Sequence, residues 1–417
     1  MDKSLINRVL DGLEERRRKV INGGINSIPS PFIRFSEDFL GVEQGKYYVV
    51  TGSTKSAKTQ IASYLFIYNT LLYAYNNPNK LRVKIFYYPL EETPEDIMTR
   101  FMSYLLYTLS GYKIRISPTD LRSVRNNKVL DETIIDLLKK GEYLDILKFF
   151  ESNVIFSTST NPTGVYNECR KYAESNGIVH TKKQTIKGEL GEITTVDAFD
   201  WYESNDPDEY RIIFYDHISL TNTERGMSLK QSIDKLSEYC VMLRNRYNFS
   251  PVIVQQQAFE NEGIENIKLN RVRPTVAGAA DSKYTMRDCN VALGIFSPFK
   301  YELKEYFGYD ISKLRDNCRF LEVLINRGGS PGGIIALYFD GAANHFSELP
   351  KADDPKIQNV YKSLQDMRAK IAKSFFSYGI SKIDKELWIL NYLVNLQPFS
   401  NKSNIIKQKQ WQMQLLF

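Results

Sequence analysis

A short segment rich in serine and lysine is the part of the sequence best suited to chemistry. Residues 52–59 read GSTKSAKT and match the phosphate-binding pattern GxxxxGK[ST] except at the second glycine, which is Ala57. In such a loop, main-chain N–H groups point at a phosphate, Lys58 neutralises its charge, and Thr59 offers a hydroxyl to Mg²⁺. We therefore predict an ATP and Mg²⁺ site lined by Gly52, Ser53, Thr54, Lys55, Ser56, Ala57, Lys58, Thr59 and Gln60.

Three polar residues stand at the ends of apolar, β-branched runs that follow this loop. They are Glu91, Asp216 and Gln257. Since parallel strands end at one edge of a sheet, these side chains are expected to meet the loop there. Glu91 could polarise an attacking water, Asp216 could reach Mg²⁺ through water, and Gln257 could sense a γ-phosphate. A single polar residue at a strand end is more often a helix cap or turn residue than a functional one. The prediction therefore rests on the three occurring together.

The elements that must position these residues alternate along the chain. An uncharged stretch over 59–79 is too polar for a membrane span and is predicted to be a buried helix. Further helices are predicted at 95–109 and 163–176. Strands are predicted at 46–50, 83–88, 153–157, 211–215, 251–255, 291–296, 320–325 and 333–339. This alternation predicts an α/β fold with a mostly parallel central sheet flanked by helices.

The two ends of the chain differ from its middle. Residues 1–24 contain an amphipathic helix that could dock on another molecule or pack on its own domain. Residues 25–350 are predicted to form the ATPase domain, with an inserted hairpin or loop at about 180–209. Residues 351–417 are lysine-rich and are predicted to form a helical tail.

Composition excludes several classes of protein. The chain has 417 residues and a net charge of +6, an excess too small to demand a polyanionic partner. Its four cysteines form no CxxC pair, which argues against a disulfide scaffold or a zinc site. The N-terminus lacks the apolar core of a secretory signal, so we expect a cytoplasmic protein that does not contact a membrane. The many Tyr and Phe residues are assigned mainly to the core.

In this context the chain resembles the RecA-like motor domain of DnaB-type replicative helicases. Residues 90–101, 214–220 and 251–258 resemble the family segments that carry the catalytic glutamate, the Walker B aspartate and the strand-end glutamine. Residues 273–293 follow the spacing of the family's DNA loop and the strand after it. The resemblance covers about residues 25–350 and implies for Glu91, Asp216 and Gln257 the roles given above.

The last resembling segment, 325–340, carries Arg327 where the family has an arginine that reaches the neighbouring subunit's nucleotide. Two departures, Ala57 and an isoleucine at 325 in place of a lysine, are expected to weaken hydrolysis. Only about 24 residues precede the motor segment, so we expect the family's N-terminal primase-interacting domain to be absent. Compact helicases of this kind are similar to those encoded by bacteriophages.

The resemblance also implies two loops that hold single-stranded DNA in a central pore, at about 222–230 and 258–287. Cations in such loops can follow a phosphate backbone, although solvated surface loops are the alternative interpretation. The DNA-binding candidates are Arg225, Lys230, Lys268, Arg271, Arg273, Lys283 and Arg287.

We therefore hypothesise that the chain is an ATP-dependent DNA helicase that forms a hexameric ring, translocates on single-stranded DNA and unwinds duplex. A primase or a helicase loader is a possible partner. Two alternatives stay open. The chain could be a RecA-like recombination or DNA-packaging ATPase, or a degenerate nucleotide-binding component of a ring.

Overall fold

The computed structural model describes residues 5–125, 129–187, 193–258, 262–268 and 272–377. The chain forms two compact units. One comprises Met1–Ser297 and Arg319–Glu348, and the other Pro298–Cys318 and Leu349–Phe417. The predicted tail therefore lies partly outside the described residues, which end at Ser377. The predicted domain boundaries at 24 and 350 stay predictions.

The first unit is built on a nine-stranded sheet. The strands of the described residues are β1 (Ser27–Pro29), β2 (Gly41–Glu43), β3 (Tyr48–Gly52), β4 (Arg82–Pro89), β5 (Val154–Phe156), β6 (Gly177–Lys187), β7 (Ile193–Ser204), β8 (Glu209–Asp216), β9 (Ser250–Gln256), β10 (Val291–Phe296), β11 (Glu305–Tyr306), β12 (Tyr309–Asp310), β13 (Cys318–Asn326), β14 (Ile334–Asp340) and β15 (His345–Glu348). The sheet has the order β15-β14-β13-β10-β3-β9-β8-β4-β5. The six strands from β10 to β5 are parallel, whereas β13 is antiparallel to β10 and β15 to β14. The predicted α/β fold with a mostly parallel sheet is confirmed.

Helices cover both faces of this sheet. The α-helices seen in the described ranges are α1 (Leu5–Ile21), α2 (Lys58–Ser63), α3 (Asn69–Asn76), α4 (Pro94–Leu109), α5 (Pro118–Leu121), α6 (Glu132–Leu138), α7 (Gly141–Asn153), α8 (Pro162–Ser175), α9 (Leu229–Tyr247), α10 (Ile264–Lys268), α11 (Tyr284–Asp288), α12 (Ile311–Leu314) and α13 (Lys356–Ser377). A π-helical turn at Tyr64–Tyr68 joins α2 to α3. Among the helices of the described ranges, none combines the length and apolar character that crossing a bilayer requires.

The core forms because side chains alternate along each strand. In β3, Tyr48 and Val50 join an apolar cluster with α2, α3, α4 and α7, whereas Val49 faces a second cluster with α8 and α9. Strands buried on both faces in this way are typical of parallel sheets. The largest fully buried side chains are all tyrosines and phenylalanines, which confirms their assignment to the core.

Two peripheral elements stand apart from the sheet. Strands β6 and β7 form a long antiparallel hairpin in the segment predicted as an insertion. Helix α1 exposes apolar side chains, among them Ile6, Leu10 and Leu13, and is joined to the unit by an ion pair of 2.5 Å between Lys19 and Asp208. Its apolar stripe is therefore available for another surface.

Candidate nucleotide site

The phosphate-binding pattern lies between β3 and α2. Strand β3 ends at Gly52, where a Cβ atom would lie 2.6 Å from the carbonyl oxygen of Ile295, so only glycine fits. The loop then passes through two non-glycine residues with left-handed backbone, Lys55 (φ 62°) and Ala57 (φ 75°), before α2 begins at Lys58. Residues in the left-handed conformation turn successive main-chain N–H groups toward the inside of the loop, where they form a concave anion-binding site.

Several polar groups of this loop fit a phosphate. The hydroxyls of Ser53 and Ser56 are buried and make no hydrogen bond to any of the described residues. Lys58 is almost fully buried at the same loop, where its Nζ donates to the carbonyl oxygen of Ser53 at 2.9 Å. Leaving buried hydroxyls unsatisfied costs free energy. An anionic ligand with several acceptor oxygens would remove this cost, and Lys58 would oppose its charge.

Ala57 takes the backbone conformation that a glycine would take freely. A left-handed alanine costs about 1–2 kcal/mol. The Ala57→Gly variant should therefore unfold at a higher temperature, although glycine's extra freedom in the unfolded chain offsets about 0.4–1 kcal/mol of the gain. We also expect tighter binding of an ATP analogue, since the Cβ atom is removed. Thermal unfolding and fluorescence titration measure the two effects.

Ala62 provides the matched control, because it is buried in α2 with ordinary helical backbone. Glycine costs about 1 kcal/mol at such a position, so Ala62→Gly should lower the melting temperature. An equal loss in both variants would contradict the strain assigned to Ala57.

The candidate metal ligands lie side by side next to the loop. The Thr59 hydroxyl, in the first turn of α2, donates to Asp216 Oδ1 at 3.2 Å, and Asp216 is the last residue of β8. Within the described residues there is no group of three or more His, Cys, Asp or Glu side chains suited to a metal. A hydroxyl and one carboxylate still suit Mg²⁺, which keeps waters and takes phosphate oxygens as further ligands.

Burial raises the pKa of Asp216 to about 7, the Thr59 hydrogen bond opposes this shift, and the charge of Glu91 adds to it. Between the ordinary pKa of 3.8 and about 7, the folded chain therefore holds a proton that the unfolded chain releases. Stability in the absence of metal should then fall as pH rises through this window, by up to about 1.4 kcal/mol per pH unit, and level off above it. Asp216→Asn should remove this slope.

Urea unfolding with a chelator at pH 5, 6, 7 and 8 measures the slope. Asp206→Asn is the control, since the hydrogen bond from Arg82 lowers the pKa of Asp206 and moves its titration below this range. A wild-type slope that persists in Asp216→Asn would contradict the assignment.

Glu91 lies just beyond the end of β4, at the same edge as Asp216. Its carboxylate is largely exposed, and its Oε2 atom lies 3.8 Å from Nε2 of His217. The Nδ1 atom of His217 is buried and has no hydrogen-bond partner within the described ranges, and burial lowers the pKa of this histidine. Glu92, the next residue, instead pairs with Arg100 on α4. Of the two glutamates, Glu91 is the one free to meet a ligand at this edge.

Gln257 follows β9 and is bound on two sides. Its Nε2 donates to the Thr51 hydroxyl at 2.9 Å and to the Thr275 carbonyl at 3.1 Å, and its Oε1 accepts from the Thr275 N–H at 3.2 Å. Thr51 belongs to the strand that leads into the phosphate loop. The amide therefore connects that strand to the second candidate DNA segment, 258–287.

Arg327 lies at the opposite end of the parallel strands from the phosphate loop, next to the start of β3. It follows Asn326, which pairs with Val291, and Val291 pairs with Tyr48 at the start of β3. The phosphate loop begins at the other end of β3, at Gly52. Four residues of strand span about 13 Å, so Arg327 lies too far from its own loop to touch the same phosphates.

The comparisons with known proteins rest on structure alone. No family model and no curated protein matches the sequence. Many solved structures are similar to it, and two of them show the extent of the likeness. The first, described as an ATPase domain, is 14% identical, with a TM-score of 0.55 over 84% of this chain and 100% of that one. The second, the structure of a DnaB-like replicative helicase and its interactions with primase, is 14% identical, with a TM-score of 0.53 over 84% of this chain and 68% of that one.

This chain has the fold of a DnaB-type helicase motor domain. The RecA-like fold expected from the motifs is thereby confirmed. In this fold, the three strand-end residues of the sequence prediction lie at the same edge as the phosphate loop, as expected for parallel strands.

The DNA-binding candidates fall into separate groups on this motor fold. Lys230 and Arg287 lie over the same ring, that of Tyr284, at 5.7 and 3.8 Å from its centroid, so the two candidate DNA segments meet there. Arg273 instead faces Glu322 on β13 at 3.7 Å. Arg225 and Lys283 are exposed. Arg271 and the side chain of Lys268 lie outside the described residues.

Cations also gather around Arg327. Its guanidinium donates to the carbonyl oxygen of Arg287, and its charge helps lower the pKa of Arg244, after the larger effect of burial. Ile325 packs against the apolar cluster on the α8 and α9 side. The lysine expected there from the DnaB-type family is thus replaced by a partly buried apolar residue, and Arg287 is a cation that this chain places beside Arg327.

The sequence prediction missed one residue at the phosphate loop. Arg319 on β13 donates from Nε to the Ser56 carbonyl at 3.0 Å, across 263 positions of sequence. An arginine inside an apolar strand pattern was the available signal, because such a residue must find a buried acceptor.

Proposed function

We propose that the chain is an ATP-dependent helicase that assembles as a ring, moves along single-stranded DNA and unwinds duplex in the cytoplasm. The observation that carries the proposal is the separation of two half-sites. The phosphate loop, Asp216 and Glu91 lie at one edge of the sheet, whereas Arg327 lies at the other. A complete site then needs the Arg327 edge of a second copy, and repetition of this contact closes a ring.

Within such a site each residue has a defined task. Main-chain N–H groups of the loop and Lys58 bind and orient the phosphates. When bound, Mg²⁺ supplies charge neutralisation at the phosphate oxygens, with Thr59 and Asp216 as its protein ligands. Glu91 orients the attacking water and accepts its proton on a carboxylate oxygen. Arg327 of the adjacent copy donates to the oxygens on which charge develops.

The exposed stripe of α1 gives the assembly a second contact. Ile6, Leu10 and Leu13 are each more than half exposed and present an apolar face. In the proposed ring this helix docks on the neighbouring copy, which covers its apolar face. A primase or a loader would then be recruited by the finished ring.

Three measurements on the purified chain test the proposal. ATP hydrolysis should rise when single-stranded DNA is added, a forked duplex should be unwound, and particles should show sixfold symmetry with ATP and DNA. Hydrolysis with duplex DNA and no unwinding would favour the recombination or packaging alternative. ATP binding without turnover would favour the degenerate ring component.

The loop that carries Arg225 and Lys230 should contribute to DNA affinity through charge. Both side chains are exposed, and the double variant Arg225→Ala/Lys230→Ala should weaken single-stranded DNA binding whatever the base sequence. The slope of log affinity against log salt should fall by about 0.7 for each lost phosphate contact. Fluorescence anisotropy at four salt concentrations measures it.

Lys182, on the β6–β7 hairpin, is exposed to a similar degree and gives the matched control. Lys182→Ala should leave both affinity and slope unchanged. A double variant that behaves like this control would remove the loop from the DNA path.

A further inference from the structure

Arg319 lies buried behind the phosphate loop. Its side chain is only 2% exposed, and its Nε donates to the Ser56 carbonyl oxygen at 3.0 Å. The guanidinium also lies over the ring of Phe339, with its central carbon 5.0 Å from the centroid. A planar cation held by a ring and by a hydrogen bond has little freedom to turn.

The acceptor of this hydrogen bond lies where the loop changes to left-handed backbone. The Ser56 carbonyl belongs to the same peptide group as the N–H of Ala57, so fixing the oxygen also fixes the direction of that N–H. Ala57 has left-handed backbone, which an alanine does not hold without support. The left-handed backbone at position 57 therefore needs support from neighbouring residues, which a glycine at this position would not need.

We propose that Arg319 is a positioning residue that holds the 56–57 peptide in the orientation in which the loop binds the terminal phosphates of a nucleotide. This inference rests on the proposed nucleotide site and deepens it. A charge-assisted hydrogen bond is stronger than a neutral one, and burial prevents water from competing for the carbonyl. The positive charge of Arg319 adds to the attraction of the loop for an anion.

A double-variant cycle with Ala57 tests the proposal. Arg319→Gln in the otherwise unchanged full-length chain should weaken binding of a fluorescent ATP analogue with Mg²⁺ by about tenfold or more. In the Ala57→Gly background the same change should cost at most about threefold, because glycine holds the left-handed backbone without support. Titrations are made at a temperature where all variants are folded, as checked by circular dichroism.

Arg211 provides the matched control for a general loss of stability. It is equally buried, at 3% exposure, but pairs with Glu209 at the start of β8, away from the loop. Arg211→Gln should lower the melting temperature and leave nucleotide affinity unchanged. If Arg319→Gln does not fold, Arg319→Lys replaces it, since lysine keeps the charge and loses the Nε donor, and the same weakening is expected.

Failure of the Arg319 role and failure of the nucleotide site would give different results. Unchanged affinity in the Arg319 variant, or an equal loss with alanine and with glycine at position 57, overturns the positioning role while the nucleotide site stands. No binding of the analogue by the wild-type chain overturns the nucleotide site, and the positioning role with it.

Discussion

Replacing Lys58 with alanine should abolish ATP hydrolysis, with a loss of at least about hundredfold. The ammonium group is almost fully buried at the loop and is held there by the Ser53 carbonyl. A cation at this position attracts the phosphates of ATP, so the variant should also lose affinity for ATP. Steady-state hydrolysis with single-stranded DNA and an ATP-analogue titration measure the two effects.

Lys84 provides the matched control. It is a half-buried lysine on β4, and its Nζ donates to the Ser152 carbonyl at 2.7 Å. Removing its side chain also takes a cation away from a main-chain carbonyl. This lysine is on β4, however, and not in the phosphate loop. Lys84→Ala should therefore hydrolyse ATP at the wild-type rate. An unchanged rate in Lys58→Ala would remove this lysine from catalysis.

The parts of the site that sequence predicts are those with a local pattern. The loop at 52–59 is contiguous, and its spacing alone places Lys58 and Thr59 at the start of a helix. Asp216 could be placed because a buried parallel strand reads as an unbroken apolar run that ends at a polar residue. Once the strands are parallel, their carboxyl ends must meet, which brings Asp216 to Thr59.

The parts that sequence does not predict depend on contacts between distant positions. Nothing near Arg319 indicates that it reaches Ser56, because that contact arises from the packing of β13 in the sheet. The left-handed backbone of Ala57 is likewise a tertiary effect, since alanine by itself favours a right-handed helix. Arg287 is a further example, since its position in a candidate DNA segment does not predict its contact with Arg327.

Replacing Arg327 with alanine should reduce hydrolysis by about a thousandfold or more while the chain still binds ATP. Its side chain is exposed and at the edge of the sheet opposite the phosphate loop, so the fold and the loop should be unaffected. Binding without turnover would distinguish this variant from Lys58→Ala, which should lose both. Lys313→Ala is the control, since this lysine is partly exposed and lies in the second compact unit, and its loss should leave hydrolysis unchanged.

Mixing the two inactive variants decides whether Arg327 acts on its own nucleotide or on that of a neighbour. In a randomly mixed ring, a subunit with Arg327→Ala keeps its phosphate loop and can lie beside a subunit with Lys58→Ala that keeps its arginine. About one quarter of the sites are then complete at equal amounts, so activity should return well above the sum of the two separate rates. If Arg327 served its own site, no site in the mixture would be complete. Because Arg327 lies about 13 Å from its own loop along the strand, it could reach a phosphate only on another copy, and recovery on mixing is the result expected for the proposed ring.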